Sequence, residues 1–352
     1  MEKNLYSIII LFLLCLSSCD NGSETYQQAK TFSLDHFSET IELKGKELTF
    51  GNTVMKPIRI QVIDSFLIAI NSGEEKHISL FNLNTNTKIG DRITNGNGPE
   101  DMLQPSFVKG TQSLQLYDIA KKTLMEYDIQ AFVRDIQPRS IHKIKLKQQI
   151  LEDIARDKQS NIVAPLFRGT HRLALLNQLG EEIRQLGSYP ETKADFTDVE
   201  KREMFQFSYT VTPDRRIILC YNWTDLIEIY SSEGILLHRL HGPDQFISPF
   251  QEIHKEKVII ARPQKGEQRE GYYNPVIVGD TFFVLYNGNK VDSENYDENS
   301  RQLFIFDWNG KPLKRLLLDQ GILTFTVDSI NKKIYGISSS PEFHIVSFDF
   351  DL

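Results

Sequence analysis

No stretch of this chain is long and apolar enough to span a bilayer. The apolar run at its start, Leu5–Leu16, holds 12 residues, whereas a transmembrane helix needs about 20. Long helices are not patterned in the sequence either, which argues against an α/β fold and leaves a pair of β-sandwiches as the main competitor to a repeat architecture. Basic charge is in deficit. Forty Lys and Arg stand against 47 Asp and Glu, a net charge of −7, so nucleic acid, which calls for a basic face, is not an expected partner. Familiar catalytic motifs are also missing: there is no nucleophile elbow, phosphate-binding glycine loop, HExxH pair or CxxC. The eight histidines are scattered. The closest pair, His238 and His241, lie three apart in a strand-like run and so face opposite ways, which leaves no shared metal site.

The short N-terminal run fits the core of a signal peptide. Lys3 and the terminal amine precede it, and Leu16-Ser17-Ser18-Cys19 ends it. These residues resemble the bacterial lipobox, in which a Leu and two small residues precede the Cys that is diacylated and becomes the new N-terminus. The alternative is an ordinary signal peptide with an incidental cysteine. The expectation is a lipoprotein signal peptide over residues 1–18, an anchor at Cys19 with a tether through residue 38, and a folded domain over 39–352. Asp20–Lys30 is polar and lacks apolar periodicity, as a tether should. The location implied is the cell envelope, with lipid attachment to the outer membrane and the periplasmic face and cell surface both open. With Cys15 removed and Cys19 lipidated, Cys220 is alone in the apolar run IILCY. No intramolecular disulfide can form, and Cys220 reads as a small buried apolar residue rather than a nucleophile.

The remaining ~330 residues exceed one compact domain of ordinary size, and repetition accounts for the length. Six segments share one form: an apolar strand, a polar turn, then a second strand. They are Ile78–Ile93, Leu114–Ile129, Leu173–Gly187, Ile227–Gly242, Leu303–Leu318 and the terminal Ile345–Leu352. The polar residues that end the first strands are Asn82, Asp118, Asn177, Ser231, Asp307 and Asp349, on average roughly 53 residues apart. Turns such as Trp308-Asn309-Gly310 and Ser232-Glu233-Gly234 supply the positive φ of tight hairpins. Flanking runs such as LFIF and IEIY are apolar on both faces, as in sheets packed between neighbouring sheets. Further strand pairs precede several hairpins, at Ile58–Ile70, Asp153–Ala164, Tyr209–Cys220 and Phe325–Ile337. Four strands per unit and six units predict an all-β, six-bladed β-propeller of four-stranded blades. The last unit stops after its third strand, so Thr40–Leu48 is expected to supply the missing outer strand and close the ring. Ser188–Phe207, with Thr197-x-x-Glu200 as a capping box, reads as a short helical insertion. Gln264–Pro275 and Gly288–Ser300 read as polar loops of a long fifth unit.

The chain resembles the TolB-like six-bladed propeller lipoproteins of Bacteroidetes. The residues that carry the resemblance are the lipobox at Cys19, the strand-then-turn hairpins, and Gly96-Asn97-Gly98-Pro99-Glu100 with Pro105. The Pro190–Phe205 insertion before Thr212-Pro213-Asp214 also fits. The resemblance spans nearly the whole mature chain. It implies the fold and the compartment and little chemistry.

Candidate site residues are few. The Gly96–Asp101 loop reads first as an inter-blade crossover, and as a ligand loop through Glu100 in the alternative. Tyr272, Tyr273 and Asn274 beside Arg262, and Phe205, Phe207 and Tyr209 beside Trp223, suit a channel mouth that recognises carbohydrate or peptide. Packing between blades is the competing reading. Asn82, Asn84 and Asn86 lack the Gly and Glu of a calcium loop and read as a hairpin turn. Asp292, Glu294, Asp297 and Glu298 form an acidic loop, read as solvated. Asp328-Ser329-Ile330 resembles an O-glycosylation triplet. The leading expectation is a non-enzymatic, membrane-tethered propeller that binds a ligand or an envelope protein and needs no cofactor. The alternative is a hydrolase or lactonase with Ca²⁺ in the central channel.

Overall fold

The computed structural model describes residues 23–50, 56–111, 113–147, 150, 152–166, 169–255, 258–294 and 296–351. The expected signal peptide and Cys19 lie outside these residues. Six antiparallel sheets follow one another around a ring, a six-bladed β-propeller. The first blade consists of Pro57–Ile63, Phe66–Asn71, Lys76–Asn82 and Thr87–Thr94, and the second of Pro105–Phe107, Leu114–Asp118, Thr123–Tyr127 and His142–Lys145. Ala155–Arg156, Ile162–Pro165, His171–Leu176 and Glu182–Ser188 build the third. Phe207–Val211, Ile217–Tyr221, Leu226–Tyr230 and Leu236–His241 build the fourth. Tyr272–Val278, Thr281–Tyr286, Ser300–Asp307 and Pro312–Ile322 build the fifth. The sixth takes Thr324–Asp328, Lys333–Ser338 and His344–Asp349 from the C-terminus and Gly45–Leu48 from the N-terminal segment. Ile345 pairs with Leu48 and Phe348 with Gly45, so the expected closure is made, by the second half of the stretch assigned to it.

Strands with two apolar faces explain why the ring has no single centre. In Thr281–Tyr286, Phe282 and Val284 pack toward the fourth blade, while Phe283 and Leu285 pack toward the sixth. Buried apolar clusters of this kind fill all six gaps between neighbouring blades. Alternation on a pleated strand places successive side chains on opposite faces, so each blade serves two interfaces at once.

Two expectations are corrected. Leu114–Ile129 was aligned with the third and fourth strands of the other units, but it forms the second and third strands of its blade. The cause is a helix, Ile129–Arg134, capped by Asp128, inserted before the outer strand. It hides the true hairpin. Counted from Asp128 instead of Asp118, the first two repeat spacings become 46 and 49 residues. The stretch through residue 38 is not a free tether: from Ser23 on it is packed against the ring. Its apolar anchors, Tyr26, Phe32 and Phe37, are 1%, 4% and 7% exposed and follow no helix or strand period, which is why patterning missed them.

The N-terminal segment runs along the outer edges of three blades in turn. Lys30–Thr31 pairs parallel with Leu240 and His241 of the fourth blade. Glu39–Leu43 pairs parallel with Lys314–Leu318 of the fifth, and Gly45–Leu48 then completes the sixth. The approach is close: a Cβ on Gly242 would lie 2.2 Å from the carbonyl oxygen of Phe32, so glycine is required there. Ser23 Oγ meets His241 Nδ1 at 2.7 Å, and Tyr26 Oη donates to Thr224 Oγ1 at 2.8 Å. Beneath them sits a buried network. Glu228, fully buried, accepts from Arg239 Nε at 2.6 Å, Tyr221 Oη at 2.6 Å and Tyr230 Oη at 2.7 Å. Arg239 Nη1 then donates to the carbonyl of Gln27 at 2.6 Å.

In a four-stranded meander, the loops between blades and those joining second to third strands emerge at one end of the ring. The large insertions therefore share one face, called upper here. Helix Asp198–Met204 lies between the third and fourth blades, with the expected capping box: Glu200 N donates to Thr197 Oγ1 at 3.2 Å and Thr197 N to Glu200 Oε2 at 2.9 Å. A two-stranded hairpin, Phe250–Lys255 with Val258–Pro263, lies between the fourth and fifth. Sequence patterning did not separate this hairpin, and it accounts for the longest repeat spacing. Helix and hairpin touch where Glu252 N donates to Glu200 Oε1 at 3.0 Å. Tyr272–Asn274, read as part of a loop, begins the inner strand of the fifth blade.

Candidate functional site

The innermost strands of all six blades surround a central channel with a cavity of about 1020 Å³. Above it, under the large insertions, lies a second cavity of about 370 Å³. The two share Arg59, Lys109, Asp153, Ser208 and Tyr273 in their walls, so they form one passage.

At the junction, Asp153 joins three blades. It accepts from Arg59 Nη2 of the first blade at 2.9 Å and from Ser106 Oγ of the second at 2.5 Å, and Lys109 Nζ lies 3.7 Å away. Burial pushes the Asp153 carboxyl up, but Lys109 and Arg59 outweigh it and hold the group below the usual carboxylate range. Burial pulls the Lys109 ammonium below its ordinary value despite Asp153. Lys109 Nζ also lies 5.0 Å above the Tyr209 ring, and Tyr209 Oη donates to the backbone carbonyls of Asp153 and Val163 at 3.1 and 2.8 Å. Glu152 stands at the upper rim, where desolvation by the mouth and then the Asp153 charge raise its pKa.

Further cations line the same passage. Arg156 donates through Nη1 to Gln115 Oε1 at 3.0 Å, and its Nε has no acceptor among the described residues. Arg172 is 2% exposed, with its guanidinium 4.3 Å from the Tyr189 ring and 4.7 Å from the Phe207 ring. Its Nη2 donates to the Phe205 carbonyl, while its Nε is buried without a partner among the described residues.

The residues singled out in the sequence are dispersed by the fold. Tyr273 and Asn274 reach the channel wall, and Asn274 Nδ2 donates to the Phe325 carbonyl of the next blade at 2.7 Å. Burial, followed by the charge of Glu270, raises the Tyr273 pKa. Tyr272 points the other way, fully buried between the fourth and fifth blades, and donates to the Gly242 carbonyl. Arg262 is exposed on the upper hairpin, and Trp223 packs on Phe250 at 6.3 Å between ring centroids. Neither lines the passage. Glu100 clamps its own crossover instead, accepting from Ser140 N at 3.1 Å, Ser140 Oγ at 3.0 Å and Lys143 Nζ at 3.2 Å. Within the Gly96–Asp101 loop, Asp101 fills the space beside the glycines and accepts from Gly98 N at 2.8 Å. Arg59, Lys109, Asp153, Arg156 and Arg172 were not foreseen. Each lies at an ordinary place in a strand or loop, and only the ring brings them together.

The donor set does not suit Ca²⁺. A calcium cage needs several converging oxygens, and here the central carboxylate, Asp153, is engaged by Arg59 and Lys109. Among the described residues, no group of three or more His, Cys, Asp or Glu side chains is placed to hold a metal. Asn82 Oδ1 closes its hairpin by accepting from Asn84 N at 2.9 Å and Thr85 N at 3.1 Å. In the acidic loop, Asp292, Asp297 and Glu298 accept from Gly266 N, Asn299 N and Ser339 Oγ. Cys220 is fully buried and burial raises its pKa, as suits a packing residue.

Comparison with known proteins agrees with this architecture. The family described as TolB-like 6-blade propeller-like matches residues 35–330. A member of the DUF4221 family from Bacteroides vulgatus superposes with a TM-score of 0.53 at 9% identity, over 88% of this chain and 96% of that one. A candidate exported protein from Bacteroides fragilis gives 0.50 at 11% identity, over 88% and 98%. At these identities the likeness is one of fold. No curated protein matches the chain. Among the described residues, no helix is long and apolar enough to cross a membrane.

Proposed function

Since the chain belongs to the TolB-like six-bladed propeller family, we propose that it is an exported lipoprotein, anchored through Cys19 to the outer membrane, that binds a ligand in its central passage. The observation that carries the binding reading is the passage itself: about 1020 Å³ walled by all six blades. Pockets that enclose ligands commonly measure about 300–1,000 Å³ and carry a few converging polar groups. Export is supported by the signal-like first eighteen residues and by the name of the Bacteroides fragilis protein of like fold. A binding role is preferred to hydrolysis because the central carboxylate is ion-paired and, among the described residues, no nucleophile–base pair stands in the passage walls.

Two measurements test this. Cys19→Ser is expected to move the protein from the membrane fraction to the soluble fraction of expressing cells; unchanged membrane retention would refute the anchor. For binding, Tyr273, which borders both cavities, is replaced by a photo-crosslinking amino acid in otherwise intact cells. A covalent adduct absent from cells with the same replacement at exposed Ile330 is expected. Equal labelling at the two positions would refute a channel site.

A further inference from the structure

The passage is cationic out of proportion to the chain. Arg59, Lys109, Arg156, Lys158, Arg172 and Arg202 line it against two carboxylates, Glu152 and Asp153, in a protein of net charge −7. Asp153 is already engaged by Arg59 and Lys109. Inside low-dielectric walls, a surplus of one sign focuses the field along the passage, while the acidic exterior repels large polyanions. The attraction therefore selects small anions that fit inside.

Two of these arginines are also incompletely satisfied by the fold. Arg156 and Arg172, 8% and 2% exposed, each keep a buried Nε without an acceptor among the described residues, so neither positive charge is fully met by the protein's own oxygens. Arg172 is the better placed of the two. The rings of Tyr189 and Phe207 and the bond to Phe205 fix its plane, and it faces the 370 Å³ upper cavity together with Arg59, Lys109 and Arg202. A guanidinium held in one plane binds carboxylate or phosphate oxygens without first losing conformational freedom.

Building on the reading of the passage as a binding site, we propose that its ligand is a small molecule bearing a carboxylate or phosphate group, held in the upper cavity by Arg172 with Arg59, Lys109 and Arg202. A neutral ligand would leave the charge surplus unanswered.

The experiment is calorimetric titration of the full-length protein with citrate, inorganic phosphate and digalacturonate, with the neutral dimethyl ester of digalacturonate as control. At least one anion is expected to bind one per chain, with affinity falling about tenfold or more between 20 and 300 mM salt. Arg202→Gln is expected to weaken that anion by about three- to tenfold, and Glu152→Gln to strengthen it by a similar factor. Lys158→Glu, at the lower mouth, should change it by less than about twofold. Arg172→Gln should abolish binding; should it fail to fold, the other three variants decide. No binding by any of the three anions, or equal binding of acid and ester, overturns the proposal. A larger effect from Lys158→Glu than from Arg202→Gln overturns the assigned position. Each of these failures leaves the channel reading standing if crosslinking at Tyr273 still captures an adduct, and equal labelling at Tyr273 and Ile330 removes both.

Discussion

Replacing Glu228 by Gln should loosen the fourth blade and the N-terminal segment together. Glu228 is fully buried, and among the described residues its carboxylate is the acceptor for Arg239 Nε, at 2.6 Å. The amide keeps an oxygen for Tyr221 or Tyr230 but removes the charge, which leaves a cation 4% exposed without its partner. Removing one member of a buried pair costs about 3–5 kcal/mol. With an unfolding entropy of about 2.1 cal/mol/K per residue over ~330 residues, the slope is about 0.7 kcal/mol/K. The expected fall in Tm is then about 4–7 °C by calorimetry at pH 7. The double variant Glu228→Gln with Arg239→Met removes the stranded cation and should recover more than half of that loss, since an apolar side chain of similar volume suits the site. A fall below about 1 °C for the single variant, or a double variant no better than the single, would refute the assignment of the carboxylate as the network's centre.

Further outcomes are expected elsewhere. Tyr26→Ala, deleting a ring 1% exposed and bonded to Thr224, should cost about 3–5 kcal/mol and speed tryptic cleavage at Lys30; intact resistance at Lys30 would contradict the docking. Asp153→Asn should lower stability at neutral pH. Its folded pKa lies below the unfolded value, so the stabilisation is present above the unfolded pKa of about 3.9 and is lost as pH falls through the folded one. The gap between wild type and variant should narrow in pH-dependent melts once the pH falls below about 3.9, and a constant offset would count against the ion pairs. Glu152→Gln should do the reverse. The raised folded pKa makes ionisation unfavourable to the fold, so the variant melts slightly higher at pH 7, and the advantage disappears below about pH 4, where the carboxyl is protonated in both states.

What the sequence made legible was the part governed by local rules. Runs such as LIEIY and TFFVLY are apolar at every step apart from Glu228 and Thr281, and this alone requires two packed faces. The Asn, Asp and Gly turns gave the hairpins, and Thr197-x-x-Glu200 gave the helix start. The misaligned second unit shows the limit, because two adjacent hairpins of one meander share the same local signature and only pairing partners distinguish them. The site was mostly illegible. Arg59, Lys109 and Asp153 are separated by up to 94 positions and converge because Arg59 lies near the start of an inner strand, Asp153 in the loop before one and Lys109 just past the end of one. Tyr272 and Tyr273 make the same point at close range: adjacent on a strand, one enters the core and the other the channel, and composition assigns neither.

The path of residues 30–48 along three blades also sets an order of events. A chain that emerges N-terminus first presents this segment before any of its partners exist, for Lys30 waits for Leu240, Ile41 for Leu316 and Leu48 for Ile345. Contacts of such sequence separation form slowly, because the intervening loop must be ordered first. During that interval the outer edges of the fourth, fifth and sixth blades remain open to pairing with other chains. A nascent chain of this design therefore stays unfinished until its last strand is available, with residues 30–48 and the blade edges from Leu240 onward unpaired until then.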